Sequence, residues 1–304
     1  MVHRYNKDKT IDSTGVTCIR WLPFDSNIFV VAHESGRMYT YNLKLPDEHA
    51  FSKDLHEAFN VQPQGKATCN PTQKWAVSNK PLNDVVFSPS NQYCAIPSRD
   101  SYCHVVHWEE RKLRLKIRSY FGAILCVAWS PDERYIVTGG EDDTVSIYDF
   151  RNECVTARCS GHHSWVTAVA FDVCWSDKSA GVNEECALMP TLTDTAPVER
   201  YRLVSVSQDS RLLLWDFESL PMDEESLGAV PQHSLDPKGH PSTPDACPVI
   251  ATNDRGTPVI DPICMQRVHQ EPICGLAVYA GGMFTVCAGA VVKVWQLAGN
   301  GNAA

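Results

Sequence analysis

No run of apolar residues in the sequence comes near the ~20 that a membrane-spanning helix needs. The first residues, MVHRYNKDKTID, are polar and charged where a secretory leader would carry an apolar core. A soluble chain of the cytoplasm is expected, with the nucleus open to it and no membrane partner. Cations are in the minority, 27 Lys and Arg against 36 Asp and Glu, for a net charge of −9. With those cations read as dispersed, a polyanionic nucleic-acid backbone is not an expected partner. Catalytic signatures are missing as well. There is no Gly-rich phosphate loop, no Gly-x-Ser-x-Gly elbow and no His-Glu-x-x-His, so no enzyme, no cofactor and no catalytic residue is expected.

Cysteine is plentiful, at 13 residues, but lacks a repeated short spacing. Several cysteines sit inside strand-like runs, which in a reducing compartment makes them small buried hydrophobes. Cys154, Cys159, His162 and His163 form the one group worth weighing as a zinc site. The Cys154–Cys159 spacing is wide for a zinc knuckle, and His162 has a framework role given below, so no metal is expected.

Apolar residues, 43% of the chain, leave ample material for a core. The stretch WSPDERYIVTGGEDDTVSIYD, residues 129–149, organises the rest. Two β-branched runs, Tyr135 to Thr138 and Thr144 to Tyr148, flank a small, acidic turn, and Ser130-Pro131-Asp132 presets the turn before them. The unit recurs. VTCIRW (16–21), LNDVVF (82–87), ILCVAW (124–129), VTAVAF (166–171) and ICGLAV (273–278) are apolar at their first, fourth and sixth positions, and each precedes a hairpin. Phe87, Trp129 and Phe171 stand 42 residues apart. In two copies a turn aspartate, Asp142 or Asp209, lies six positions before an aromatic, Tyr148 or Trp215, that an aspartate follows. A period of about 40–45 residues ending in Trp-Asp marks a four-stranded propeller blade. The fold class expected is all-β, a propeller with five blade equivalents whose hexapeptide strands line its axis.

The boundaries that follow are an N-terminal strand and linker over 1–14 and a propeller over 15–298, with repeats at about 15–43, 81–117, 122–158, 161–217 and 268–297. Strand-like Val2 to Tyr5 offers, as the less favoured alternative, a partner for the last hairpin that would close a smaller ring. Residues 45–80, 173–200 and 218–261 read as loops, the last two as disordered insertions with no strand before Ile263, and 299–304 as a loose tail.

Within the fourth copy His162, Ser205 or Ser207, Asp209 and Trp215 can form a hydrogen-bonded chain tying the blade's outer strand to its inner hairpin. That chain gives the Asp–His–Ser set a structural role, with Asp142 its counterpart in the third copy. Function is expected on the rim from which the inner strands start. Ser119-Tyr120-Phe121-Gly122 and His163-Ser164-Trp165 place large aromatics where a framework needs none. Phe121 and Trp165 are the expected anchors for a protein partner, flanked by Tyr120 and His163. The acidic turn is expected at the opposite rim or the blade edge, with Glu141 and Asp143 a solvated face.

RYNKDKTID before VTCIRWLP, then FVVAHESGRMYTYN, SYFGAILCVAWSPDERYIVTGGEDDTV and GHHSWVTAVAFD, resemble the WD-repeat family that groups WD repeat-containing protein 20, the dystrophia myotonica WD-repeat protein and fungal CreC. The resemblance spans the five blade segments and the position of the long insertion before the last. It implies a non-catalytic, seven-bladed propeller that binds and activates a ubiquitin-specific protease (number 12 or 46 in animals, CreB in fungi), often beside a second WD-repeat protein. The family pattern has further propeller sequence ahead of RYNKDKTID, so the expectation is a chain lacking its N-terminal blades. The alternative reading keeps the fold and rim but makes the chain a substrate receptor or adaptor of a ubiquitin ligase or of another multiprotein complex.

Overall fold

Tyr135 faces Asp149 and Gly139 faces Val145 across one antiparallel hairpin, whose alternating side chains are buried on both faces. A sheet buried on both faces must be covered twice, and stacking similar sheets face to face meets that need. The computed structural model describes residues 4–47, 59–63, 68–172, 200–219, 247–251, 256–279 and 282–296. These form a five-bladed β-propeller without a helix.

From its inner strand outward, the first blade runs Val16–Leu22, Asp25–His33, Arg37–Asn42, Gln73–Ala76 and Asn60–Pro63. The second runs Val86–Phe87, Tyr93–Pro97, Tyr102–His107, Lys112–Arg118 and Val249–Ala251. Ile124–Trp129, Tyr135–Gly140, Thr144–Asp149, Cys154–Ser160 and Val259–Ile260 form the third. The fourth comprises Val166–Phe171, Arg200–Ser207, Arg211–Glu218 and Cys264–Arg267, and the fifth Ile273–Tyr279, Gly282–Cys287 and Val292–Gln296.

The blades share one turn geometry. Gly36, Ser101, Asp143, Ser210 and Ala290 occupy the same position between the second and third strands, and each has a positive φ. A non-glycine residue held there stores strain that the flanking hairpin must offset.

Side chains at positions one, four and six of the second to fifth hexapeptides pack on the preceding blade rather than into the axis. Val166, Val169 and Phe171 share a buried cluster with Val137, Val145 and Ile147 of the third blade, and Ile273 joins Val204, Val206 and Leu212 of the fourth. Hydrogen bonds to the next blade's first hexapeptide carbonyl reinforce three joints. Asn83 Nδ2 donates to Ile124 O at 2.6 Å, Cys126 Sγ to Val166 O at 3.7 Å and Thr167 Oγ1 to Ile273 O at 2.8 Å. At the two ends the same surfaces are open. Val16, Ile19 and Trp21 are each more than half exposed, and so are Val292 and Val294 on the fifth blade.

Several expectations need correction. Residues 45–80 contain the first blade's outer strands, and their Trp75 is fully buried, stacked on Trp108 at 4.7 Å between ring centroids. Residues 249–251 and 259–260, read as disordered loop, add parallel strands to the second and third blades. Such short runs carry too little periodicity to register in sequence; the neighbouring blade's edge orders them. Tyr5 packs on Phe29 and Tyr41 of the first blade, not on the last hairpin. Residues 173–199, 220–246 and the tail lie outside the described residues.

Candidate functional site: an aromatic rim above the blade fasteners

His162 sits four residues before the fourth hexapeptide and is buried. Its Nδ1 lies 3.1 Å from Asp209 Oδ2 and its Nε2 2.8 Å from Ser205 Oγ, which Trp215 Nε1 also reaches at 2.8 Å. An ionised carboxylate only accepts, so Nδ1 carries the proton and donates to Asp209. Nε2 then accepts from the Ser205 hydroxyl, whose oxygen accepts the indole N–H. Every donor in this fastener has an acceptor, and Ser205 is fully buried. Arranged so, the set presents no nucleophile to a substrate, unlike a hydrolase triad. Ser207 is placed differently, donating to the Ser164 carbonyl at 2.8 Å.

Charge follows from these contacts. Burial pushes the Asp209 carboxyl upward, but the N–H groups of His163 and Arg211 together with His162 outweigh it and hold it below the usual range. Burial likewise lowers His162, against the pull of Asp209, which keeps the imidazole neutral at pH 7. A second fastener, which sequence reading missed, lies in the fifth blade. His269 Nε2 meets Thr285 Oγ1 at 2.8 Å, and Trp295 Nε1 donates to that oxygen at 2.9 Å. Its signal was present, since His269 precedes Ile273 by the same four residues that separate His162 from Val166.

In the third blade the His162 position is held by Tyr120. Its ring turns outward, 51% exposed, beneath the Arg158 guanidinium at 4.4 Å. Asp142 therefore has no histidine. Burial raises its carboxyl, and the N–H groups of Thr144, Asp142 itself and Phe121 with the Arg158 charge only partly offset that.

One set of backbone bonds fixes where the aromatic loops stand. The residue before each hexapeptide accepts from the N–H opening the second turn: Glu141 to Ala123 O at 3.0 Å and Gln208 to Trp165 O at 3.0 Å, matched by Glu34 to Gly15, Arg99 to Pro81 and Ala288 to Pro272. The Phe121 and Trp165 loops thus start adjacent inner strands from one rim. Phe121 is 71% exposed and Trp165 40%, with His163 also exposed. The acidic turn shares this rim, contrary to expectation. Glu141 Oε2 accepts the Ala123 N–H at 3.1 Å and would meet any side chain placed at Gly122, so Glu141 braces the Phe121 loop instead of forming a solvated face. The turn folds back because the hairpin's closed end and the loop before the inner strand lie at the same height. Sequence reading also missed Arg158 as the partner of Tyr120.

The four residues weighed for zinc are dispersed. Cys154 and Cys159 face different partners of one strand pairing, Asp149 and Val145, and His162 is engaged as above. Cys154 and Cys159 both carry free thiols. Among those residues no helix is long and apolar enough to cross a membrane.

Stacked sheets of three to five strands, a His–Ser–Trp fastener and turn aspartates define a WD-repeat β-propeller. Residues 113–149 match the family pattern described as WD domain, G-beta repeat. Over 207 residues the chain is 33% identical to WD repeat-containing protein 20 homolog of Caenorhabditis elegans, covering 63% of this chain and 27% of that relative. It thus resembles the WD-repeat family of WD repeat-containing protein 20 in sequence as well as in fold, while the aligned part spans about a quarter of that relative's length.

Proposed function

We propose that this chain is a non-catalytic scaffold that binds a ubiquitin-specific protease, of the type numbered 12 or 46 in animals or the CreB type of fungi, and raises its activity. The supporting observation is the exposure of Phe121 and Trp165 on one rim of adjacent blades, where a framework position calls for small or polar residues. A partner filling this rim offers an apolar pocket for each ring, and a cation opposite Asp143. Large aromatics seated in such pockets supply much of an interface's energy. Family resemblance supports the choice of partner, a second WD-repeat protein beside it, and a cytoplasmic and nuclear location. Without chemistry of its own, the scaffold activates by binding the protease's active arrangement more tightly than the inactive one, and the gain is limited by that difference.

The test is a pull-down of the purified protease by the chain and by its Phe121→Ala/Trp165→Ala variant, with folding followed by circular dichroism. Loss of capture by the folded variant is expected; retained capture removes the reading.

A further inference from the structure

The fourth strand of the second blade concentrates charge that the chain's acidic total hides. Over 111–118, RKLRLKIR, five of eight residues are cations. A register shift opposite Val105 and Val106 breaks the strand's alternation. Leu113 consequently packs toward the first blade, and Leu115 and Ile117 toward the third. Arg111, Lys112 and Lys116 are left lining a cleft of about 690 Å³ between the outer parts of the first two blades, with Phe59, Val61 and Leu113 as apolar wall. That size falls in the range of ligand sites, roughly 300–1,000 Å³.

The acid in this cleft is already committed. Asp100 accepts from Ser78 Oγ at 2.7 Å, His104 Nε2 at 2.9 Å and Tyr102 N at 2.9 Å. Burial pushes its carboxyl upward, and those donors, led by His104, bring it below the usual range. Arg114 pairs with Glu153, and the Lys112–Glu110 pair at 3.5 Å is exposed and so contributes little. His104 is almost wholly buried behind Asp100, and its Nδ1 makes no hydrogen bond.

We infer that this cleft binds an extended acidic peptide without using Tyr120, Phe121, His163 or Trp165 of the aromatic rim. Carboxylate or phosphate groups meet Arg111, Lys112 and Lys116, and apolar side chains lie on Phe59, Val61 and Leu113. An apolar wall beside the cations favours a peptide over a bare anion.

The probe is a fluorescein-labelled peptide alternating Asp and Leu, with phosphoserine-for-Asp and Asn-for-Asp versions, titrated by anisotropy at low salt up to about millimolar. The Asp or the phosphoserine version is expected to bind, and which binds more tightly identifies the anion. The Asn version is expected to bind at least tenfold more weakly. Lys112→Glu/Lys116→Glu, checked for folding by its melting temperature, is expected to lose at least tenfold, and Lys9→Glu/Lys44→Glu to lose none. On the intact chain, labelled-histidine NMR is expected to show the His104 resonances move with the bound peptide, through its bond to Asp100 beside the cleft. No binding by either acidic peptide, equal binding of the Asn version, an unaffected cleft variant, or full displacement by equimolar inorganic phosphate overturns the inference. Phe121→Ala/Trp165→Ala is expected to keep peptide binding, which separates this site's failure from that of the rim.

Discussion

Tyr120 holds in the third blade the position that His162 holds in the fourth, four residues before each hexapeptide. The two blades diverge from there: one closes its fastener, and the other turns an aromatic ring onto the rim beneath Arg158. Framework and surface function compete for the same column of residues.

Replacing the turn aspartates separates the two cases. Asp209→Asn removes the negative charge and leaves one acceptor oxygen where two now serve the N–H groups of His162, His163 and Arg211, and is expected to cost about 2–3 kcal/mol. Asp142→Asn relieves a buried carboxyl whose folded state already resists ionisation, and is expected to cost less than about 0.5 kcal/mol or to stabilise. Urea unfolding midpoints of the two variants at pH 7 check this, and equal losses count against it.

Acid should unfasten the fourth blade. His162 is lowered in the folded chain, so the unfolded chain takes up that proton first, at about pH 6.5. Stability is fully present above about that pH and declines as pH falls through the lower folded value; Asp209, also held low, adds a loss below about pH 4. The melting temperature of the chain is expected to drop between pH 7 and pH 5, and His162→Gln to flatten that drop.

Tyr120→His should trade function for stability. The new histidine stands within the column of Asp142 and Thr138, and the expected gain is about 1 kcal/mol, with the Asp142 carboxyl moving down. Protease affinity is expected to fall because the Tyr120–Arg158 stack is gone. Calorimetry and an affinity titration on the same sample read both effects.

The open end faces make the 304-residue chain sticky. Trp21 and Val294 stand in positions that the internal joints cover wholly or in part. Concentration-dependent association is expected in light scattering, reduced by Trp21→Glu and by Val294→Glu without a change in melting temperature.

The blade repeat was legible because each hexapeptide keeps its apolar first, fourth and sixth positions whatever else varies. The fourth-blade fastener was legible for the same reason, as His162, Asp209 and Trp215 keep fixed spacings. Trp75 and Val249–Ala251 were not, because their strands are a few residues long and are ordered by a neighbour's edge rather than by their own pattern. The position of Glu141 was missed because sequence carries no sense of height along the blade: the turn and the next loop are distant in the chain and adjacent in space. The charged cleft was missed because a net charge of −9 averages away one basic strand.

The most direct measurement is the rate at which a purified ubiquitin-specific protease cleaves a ubiquitin–fluorophore substrate as the chain is added. The rate is expected to rise with the native chain and to stay at its basal value with folded Phe121→Ala/Trp165→Ala. An equal rise with both contradicts the account.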